Sequence, residues 1–255
     1  EVANSREVIG RADSDYKVHG FEDLRLHATL GADVAKGKQV TVNSPAYPDN
    51  TYNYYGYHGS ESILKRNLSL SAYAQYYHDF NDKAKNHFDI MGGYEYQHFW
   101  KGTDDDYRGY YPNTNNDESL RGKAYNETYK WYRTENYLVS FFGRANWSLM
   151  DRYYVTATVR DDGSSRFQDH WSVFPSFAFM WKMKEENNLK DIKWLSDLKL
   201  RLGWGQTGQQ DVNNDYAWIP TYTKNSDNRS LYPADGDGTL YRPDNYTPKL
   251  KWETT

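Results

Sequence analysis

The sequence predicts an all-β, antiparallel chain, and three observations carry that prediction. Apolar and polar residues alternate with a period of two along most of its length. The connections between alternating runs switch between short and long. Aromatic residues make up 17% of the 255 positions, with 25 Tyr, 9 Trp and 10 Phe, too many rings for a disordered segment.

The strands follow in order. A weaker first strand is expected at about 7–18, with Glu7, Arg11, Asp13, Asp15 and Lys17 on its polar face. From Leu24 to Val34 one face reads Leu24, Leu26, Ala28, Leu30, Ala32 and Val34, and the other Arg25, His27, Thr29, Gly31 and Asp33. Leu68, Leu70, Ala72, Ala74 and Tyr76 alternate with Ser69, Ser71, Tyr73, Gln75 and Tyr77. Phe88, Ile90, Gly92, Tyr94 and Tyr96 alternate with Asp89, Met91, Gly93, Glu95 and Gln97. Tyr137, Val139, Phe141, Gly143, Ala145 and Trp147 alternate with Leu138, Ser140, Phe142, Arg144 and Asn146. Three more runs are centred on Ala157, Phe179 and Leu200. Pro175 falls inside one of them, which predicts a strand start, rim or bulge there. Short polar connections are expected at 80–85 and 149–152, and a third with one helical turn at 184–196. Long loops are expected at 35–62, 101–133 and 206–248, and an intermediate one at 162–170.

Two architectures share this alternation. In a soluble sandwich the apolar face meets a dry core. In a transmembrane barrel it meets lipid, and the polar face meets a wet lumen. Three features favour the barrel. The runs reach 10–11 alternating residues, a spanning length for a tilted strand. Aromatics cluster where strands would meet the interfaces: Tyr94, Tyr96 and Trp100 at one end, Trp147, Tyr153 and Tyr154 at another. Short turns alternate with long loops, as on the two rims of an outer-membrane barrel.

Composition removes several classes of function. The formal net charge is −4, without a basic stripe, which excludes nucleic acid as a partner. The absence of Cys removes disulfide scaffolds, zinc fingers and Cys nucleophiles. Apolar runs fall well short of the roughly 18 residues of a membrane-spanning helix. The opening residues, Glu1-Val2-Ala3-Asn4-Ser5-Arg6, resemble neither a signal peptide nor a start, so an internal or mature piece of a longer protein is expected.

Chemical motifs are sparse. Gly203-Trp-Gly-Gln-Thr-Gly208 matches a dinucleotide fingerprint, but the following residues lack helical periodicity, so a strand running into a loop is expected. Asp104-Asp-Asp106 and Asp235-Gly-Asp-Gly238 are read as solvated loop tips rather than calcium sites. The seven His lack metal-ligand spacing. Glu185 and Glu186 are sequence neighbours and do not form a converging acid/base pair. No catalytic residue, metal or cofactor is expected. The candidates for ligand contact are loop aromatics: Tyr52, Tyr54, Tyr55 and Tyr57 in one loop, Trp100, Tyr107, Tyr110 and Tyr111 in the next. A ring with a polar handle suits a sugar face, a protein partner or simple loop packing. Arg144, Arg160 and Arg201 lie on polar strand faces and are expected to face the lumen, in contact with ligand or paired with carboxylates.

Particular segments go further. Ser140-Phe-Phe-Gly-Arg-Ala-Asn-Trp-Ser148, Asp151-Arg-Tyr-Tyr-Val-Thr-Ala-Thr-Val-Arg-Asp-Asp-Gly-Ser-Ser-Arg-Phe167, Phe174-Pro-Ser176 with Trp181, and the run 194–211 resemble the barrel of SusC/RagA-family TonB-dependent transporters. Tyr241-Arg-Pro243 and Leu250-Lys-Trp-Glu253 fit the same stretch. The likeness is specific over about 138–211 and looser before it. It implies an antiparallel transmembrane β-barrel segment, about eight strands of a larger barrel with long extracellular loops, in the outer membrane of a Bacteroidetes-type cell. Residues 1–255 would all belong to the barrel domain, without the plug domain and TonB box. The implied function is import of oligosaccharides or peptides, energised by TonB through the absent N-terminal region. The implied partners are a SusD-like surface lipoprotein lid, the remainder of the barrel and outer-membrane lipid. The competing reading is a soluble β-sandwich that binds glycans through surface aromatics.

Overall fold

The computed structural model describes residues 1–49, 54–80, 85–111, 115–212, 214–225, 232–233 and 240–254. Eight antiparallel strands form one sheet in strict sequence order: β1 (Val2–Lys17), β2 (Leu24–Asp49), β3 (Tyr54–Asp79), β4 (His87–Tyr110), β5 (Ala124–Leu149), β6 (Tyr153–Ser164), β7 (Trp171–Lys182) and β8 (Lys199–Gly205). Towards the C-terminus, β9 (Gly208–Gln209) pairs with β13 (Glu253–Thr254). Separately, β10 (Tyr222–Asn225), β11 (Tyr232–Pro233) and β12 (Leu240–Pro243) make a small three-stranded sheet.

The tight connections have local causes. Phe21 N–H donates to the Val18 carbonyl at 3.1 Å around Gly20, whose φ of +81° suits glycine. Between β5 and β6, Arg152 N–H donates to the Leu149 carbonyl at 3.1 Å, with Met150 and Asp151 both at positive φ. That handedness matches the twist of the flanking strands. The 183–198 connection opens with a single 3₁₀ turn and is tied by Lys184, whose ammonium donates to the carbonyls of Leu189, Lys190 and Ile192 at 2.8–2.9 Å.

Parts of two expected loops are strands. Residues 35–49 continue β2, 54–62 begin β3, 101–110 finish β4 and 124–133 begin β5. Strands of 24–26 residues result, far longer than the 9–11 that span a bilayer. These extensions lack a continuous apolar face, so the alternation that marked the spanning parts is absent from them. Pro175 lies inside β7, one residue beyond the last β7–β8 pair, Ser176↔Gly205. Its carbonyl accepts from Gln206 N–H at 3.0 Å, so its missing N–H falls where the β8 ladder has ended.

The chain divides into two compact units. One comprises Glu1–Ala12, Leu30–Leu70 and Gln97–Glu135; the other Asp13–Thr29, Ser71–Tyr96 and Asn136–Thr255. In the second unit the burial pattern reverses that of a soluble protein. Phe141, Val159, Phe177 and Leu202 stand exposed, while Thr156, Thr158, Arg160 and Asp162 on the opposite face are half-buried. An uncovered apolar face on a single sheet is what lipid-facing strands require, and it removes the sandwich reading. Along β5 the exposed rings Tyr137 and Trp147 lie ten residues apart, about 25 Å at a typical barrel tilt, the height of an outer-membrane apolar band.

Candidate lumen-facing site

The polar faces of β4, β5 and β6 converge on Arg160. Its Nη2 lies 2.6 Å from Glu95 on β4 and donates to the Ser140 hydroxyl on β5 at 3.0 Å, and its Nε lies 2.6 Å from Asp162 on β6. Alternation explains the grouping. Arg160 and Asp162 are two residues apart on one strand, and the register opposes Ser140 to Asp162. Ser140 itself is fully buried. A guanidinium gripped by two carboxylates is a rigid, oriented group rather than a loose cation.

Farther along the same inner face runs a network centred on the Asp89 carboxylate. Gln75 donates to both oxygens of Asp89 at 3.1 Å, Asn146 donates to Asp89 at 3.4 Å, and Thr156 donates to Asn146 Oδ1 at 2.8 Å. Arg144 joins it through Nε, 3.3 Å from the same Asn146 oxygen. Beside it His27 stacks on Tyr73 with centroids 4.6 Å apart, and Tyr73 meets Phe142 at 6.3 Å. Both rings close over Gly93, where a Cβ would collide with Tyr73 and come within 2.7 Å of Phe142. Only glycine fits beneath that ring pair. The inner wall therefore offers fixed charges, amide and hydroxyl groups and ring faces, the set that recognises polar, extended ligands.

A compact cluster closes the β6–β7 connection. Phe167 is fully buried, with its ring 5.0 Å from Trp252, which meets Phe174 edge-on at 5.4 Å. Trp252 donates to the His170 carbonyl at 3.0 Å, and Trp218 donates to the Ser165 carbonyl at 3.1 Å. Arg166 Nε lies 2.8 Å from Asp215. Gly208 passes so close to Phe174 that a side chain there would overlap the ring. Gly205, against Ser176, and Gly208 thus serve close packing, and among the described residues no helix follows them.

The candidate residues distribute as follows. Tyr57 and Tyr107 stand on strands β3 and β4, not loops, and stack with centroids 6.1 Å apart and planes at 26°. Trp100 is also on β4, packed between the guanidinium groups of Arg66 at 4.9 Å and Arg133 at 5.9 Å, on the face opposite Glu95 and Gln97. Tyr110 ends β4, and Tyr111 follows it, its N–H donating to the Lys123 carbonyl at 3.0 Å. Tyr52 lies outside the described residues, as do the side chains of Tyr54 and Tyr55. Arg201 opposes Met180 on β7, which puts it on the inner face, with Leu200 and Leu202 outward. Asp104, read as part of a loop tip, is on β4 and bound by Arg133 at 2.7 Å, while the 235–238 motif lies outside the described residues. Tyr154, expected at the interface, faces inward: it opposes Ser148 and accepts from the Lys182 ammonium at 2.7 Å. The interfacial rings at that rim are Tyr153 and Trp181, stacked at 6.1 Å. Their polar ends bind Glu186, from the Tyr153 hydroxyl at 2.5 Å and the Trp181 indole at 3.1 Å. The Tyr153 bond first, then those of Trp181 and Arg152, hold the Glu186 carboxyl below the usual range.

Single-sheet strands with an exposed apolar face, interfacial rings and a polar inner face define the wall of an outer-membrane β-barrel. The chain belongs to the TonB dependent receptor-like, beta-barrel family, which matches residues 3–255. It is 45% identical over its whole length to TonB-dependent receptor SusC of Bacteroides thetaiotaomicron, covering 25% of that protein. It is 30% identical to TonB-dependent receptor P3 of Formosa agariphila, over 77% of this chain and 20% of that one. The chain thus spans a quarter or less of these curated relatives. Its fold matches the structure of the RagAB peptide transporter with a TM-score of 0.80 at 22% identity, covering 99% of this chain and 27% of that one. The RagAB peptide importer in the open-open state matches equally, with a TM-score of 0.80 at 21% identity. The chain is thus a segment of outer-membrane barrel wall from this family, similar in sequence to SusC.

Proposed function

We propose that residues 1–255 are part of the barrel domain of a TonB-energised importer of oligosaccharides or peptides. The full protein works with a SusD-like surface lipoprotein as its lid. This segment supplies barrel wall and strand extensions and performs no covalent chemistry. The observation that carries the reading is the inner face: Arg160 fixed between Glu95 and Asp162, the Gln75–Asp89–Asn146 network, and rings stacked over Gly93. Such a surface offers an extended polar ligand hydrogen bonds and stacking without a deep trap that would hold it. Tyr57 and Tyr107 are proposed as ligand or lid contacts, and Arg144, Arg160 and Arg201 as lumen groups. TonB would be engaged by other parts of the full-length protein, and the remaining strands would pair with β1 and β8.

Uptake of labelled oligosaccharide and peptide libraries by cells carrying the full-length gene tests this. Import is expected to require TonB and the lid lipoprotein, and to fall several-fold in Arg160→Met. Uptake unaffected by loss of TonB, or no uptake of either ligand class, would overturn the proposal.

A further inference from the structure

Asp161 and Asp162 are neighbours on β6, so strand alternation sends them to opposite faces. Asp162 goes inward, to Arg160. Asp161 goes outward: the register sets it opposite Phe141 on β5 and Val173 on β7, both half exposed. Tyr94 on β4 shares that face, its ring 5.3 Å from Phe141. In the unit that holds Ser71–Tyr96 and Asn136–Thr255, every other outward position of β4 to β8 is apolar, aromatic or glycine. Asp161 is therefore a single charge on the lipid-facing wall of those strands. Among the described residues its Oδ1 is sealed from solvent without a hydrogen-bond partner, while the residue as a whole is half-buried. The adjacent Arg160 cannot serve it, being turned inward and held by Glu95, Ser140 and Asp162.

Beside this carboxylate the outer face is hollow. A trough of about 590 Å³ opens at Val159, the next outward residue on β6, and is lined by Ala157, Ala145, Gly143, Gly92 and Ile90. The wall's own packing does not require the hollow. A Cβ at Gly143 would meet Val159 at 3.7 Å, and one at Gly92 the Phe142 carbonyl at 3.8 Å, both ordinary contacts. On the other side of Asp161, Phe141 and Trp171 stack with centroids 5.9 Å apart and planes at 27°, both half exposed. Trp171 lies ten residues from the interfacial Trp181 on β7 and marks the opposite edge of the apolar band. It opposes Gly163, two residues beyond Asp161, so the carboxylate sits about 5 Å on the membrane side of that ring.

We infer that Asp161 and the trough form a binding site for an amine-bearing lipid, its ammonium on the carboxylate and its hydrocarbon chain in the hollow. A carboxylate facing lipid is costly unless a cation pairs with it, and the outward positions around it supply none. The cation must then come from another molecule. Half-exposed ring faces next to a carboxylate suit an ammonium, which both attract. The trough has room for a hydrocarbon chain rather than for a helix about 10 Å across. Five ångströms below the interfacial ring is within reach of a flexible amine arm entering from the headgroup region. The inference rests on the lipid-facing outer surface and is independent of what the protein imports.

The test uses the full-length transporter in phosphatidylcholine nanodiscs, with bound amphiphile read by native mass spectrometry. The probes are octadecylamine and octadecanol, which share a chain and differ in the cation. The protein is expected to retain the amine about tenfold over the alcohol. That preference should survive high salt, which screens a surface attraction but hardly a pair shielded from water. Asp161→Asn should abolish it and Asp161→Glu keep it, while Gly143→Leu, which fills the trough, should weaken retention of both probes. Heat-modifiable mobility on gels reports that each variant has folded, and Asp161→Asn decides the matter if Gly143→Leu has not. In native membranes an apolar carbodiimide, which couples a carboxylate to a neighbouring amine, should leave a lipid adduct on the peptide that carries Asp161. Equal retention of the two probes, an undiminished preference in folded Asp161→Asn, or an adduct with a protein lysine instead of a lipid would overturn the inference.

Discussion

The two faces of β5–β7 obey opposite rules. On the outer side Phe141 is 51% exposed and Val173 53%. On the inner side Ser140 is fully buried and Arg160 is held by Glu95 and Asp162. In a water-soluble sheet this would be a failed core. Here it shows that burial by protein and removal from water are different quantities: lipid covers the apolar face, and the protein's own packing is spent on polar groups. The buried rings Phe167 and Phe174, packed against Trp252, accordingly sit by the β6–β7 connection rather than within the wall.

The comparison can be broken on either side. Phe167→Ala should give the largest loss, about 3–5 kcal/mol, because it empties a fully enclosed site that Trp252 cannot collapse into without losing its bond to His170. Urea unfolding of the full barrel from lipid vesicles measures it, and a cost under about 1 kcal/mol would show that the cluster is not a core. Val159→Arg probes the outer face, near the middle of the apolar band. A soluble protein would tolerate an exposed Val→Arg within about half a kcal/mol. Against lipid the cost should be about 2–4 kcal/mol. The same unfolding experiment separates the two, and a neutral result would remove lipid from this face.

How much of this was legible in the sequence depended on which solvent a segment meets. From Leu24 to Val34 and Tyr137 to Trp147, lipid on one side and water on the other force the alternation, so strand and face could be read directly. Residues 35–49 and 101–110 meet no such contrast, so strand-forming residues such as Val40, Thr41, Val42 and Tyr107 stand there without the alternation that marks a strand. Their β-propensity was the only local signal, and it is a weak one. Tyr153 and Tyr154 are adjacent and cannot both face lipid; the turn at Met150 and Asp151 decides which does. The docking of Trp252 on Phe167 joins residues 85 apart and leaves no local trace except Gly208, whose missing side chain makes room. The inner position of Arg160 was legible from parity, but its grip by Glu95 depends on how β4 and β5 pair.

Arg160→Met sharpens the inner half of the comparison. It leaves Glu95 and Asp162 facing each other without their cation, which in a dry core costs about 3–5 kcal/mol. The guanidinium is one-third exposed to the water of the inner face, so solvation of the abandoned carboxylates should limit the loss to about 1–2 kcal/mol. Adding Glu95→Gln should recover part of it, and a double-mutant cycle measures the coupling. Strict additivity would mean that the pair is incidental.

The smallest effect is expected where the two faces meet water, at Glu186. Its carboxylate ties the ring ends of Tyr153 and Trp181 to the short-turn rim. Those bonds favour the charged form, so the folded carboxyl titrates below its unfolded value of about 4.3. A carboxyl depressed by folding stabilises the protein above the unfolded pKa, and that contribution disappears as pH falls through the folded one. Thermal unfolding in detergent should therefore show wild type losing its small advantage over Glu186→Gln only below about pH 4.3. From pH 5 to 8 the gap between the two proteins should stay constant. A gap that instead opened near neutral pH would place the titrating group elsewhere, since histidine rather than a depressed carboxyl changes charge there.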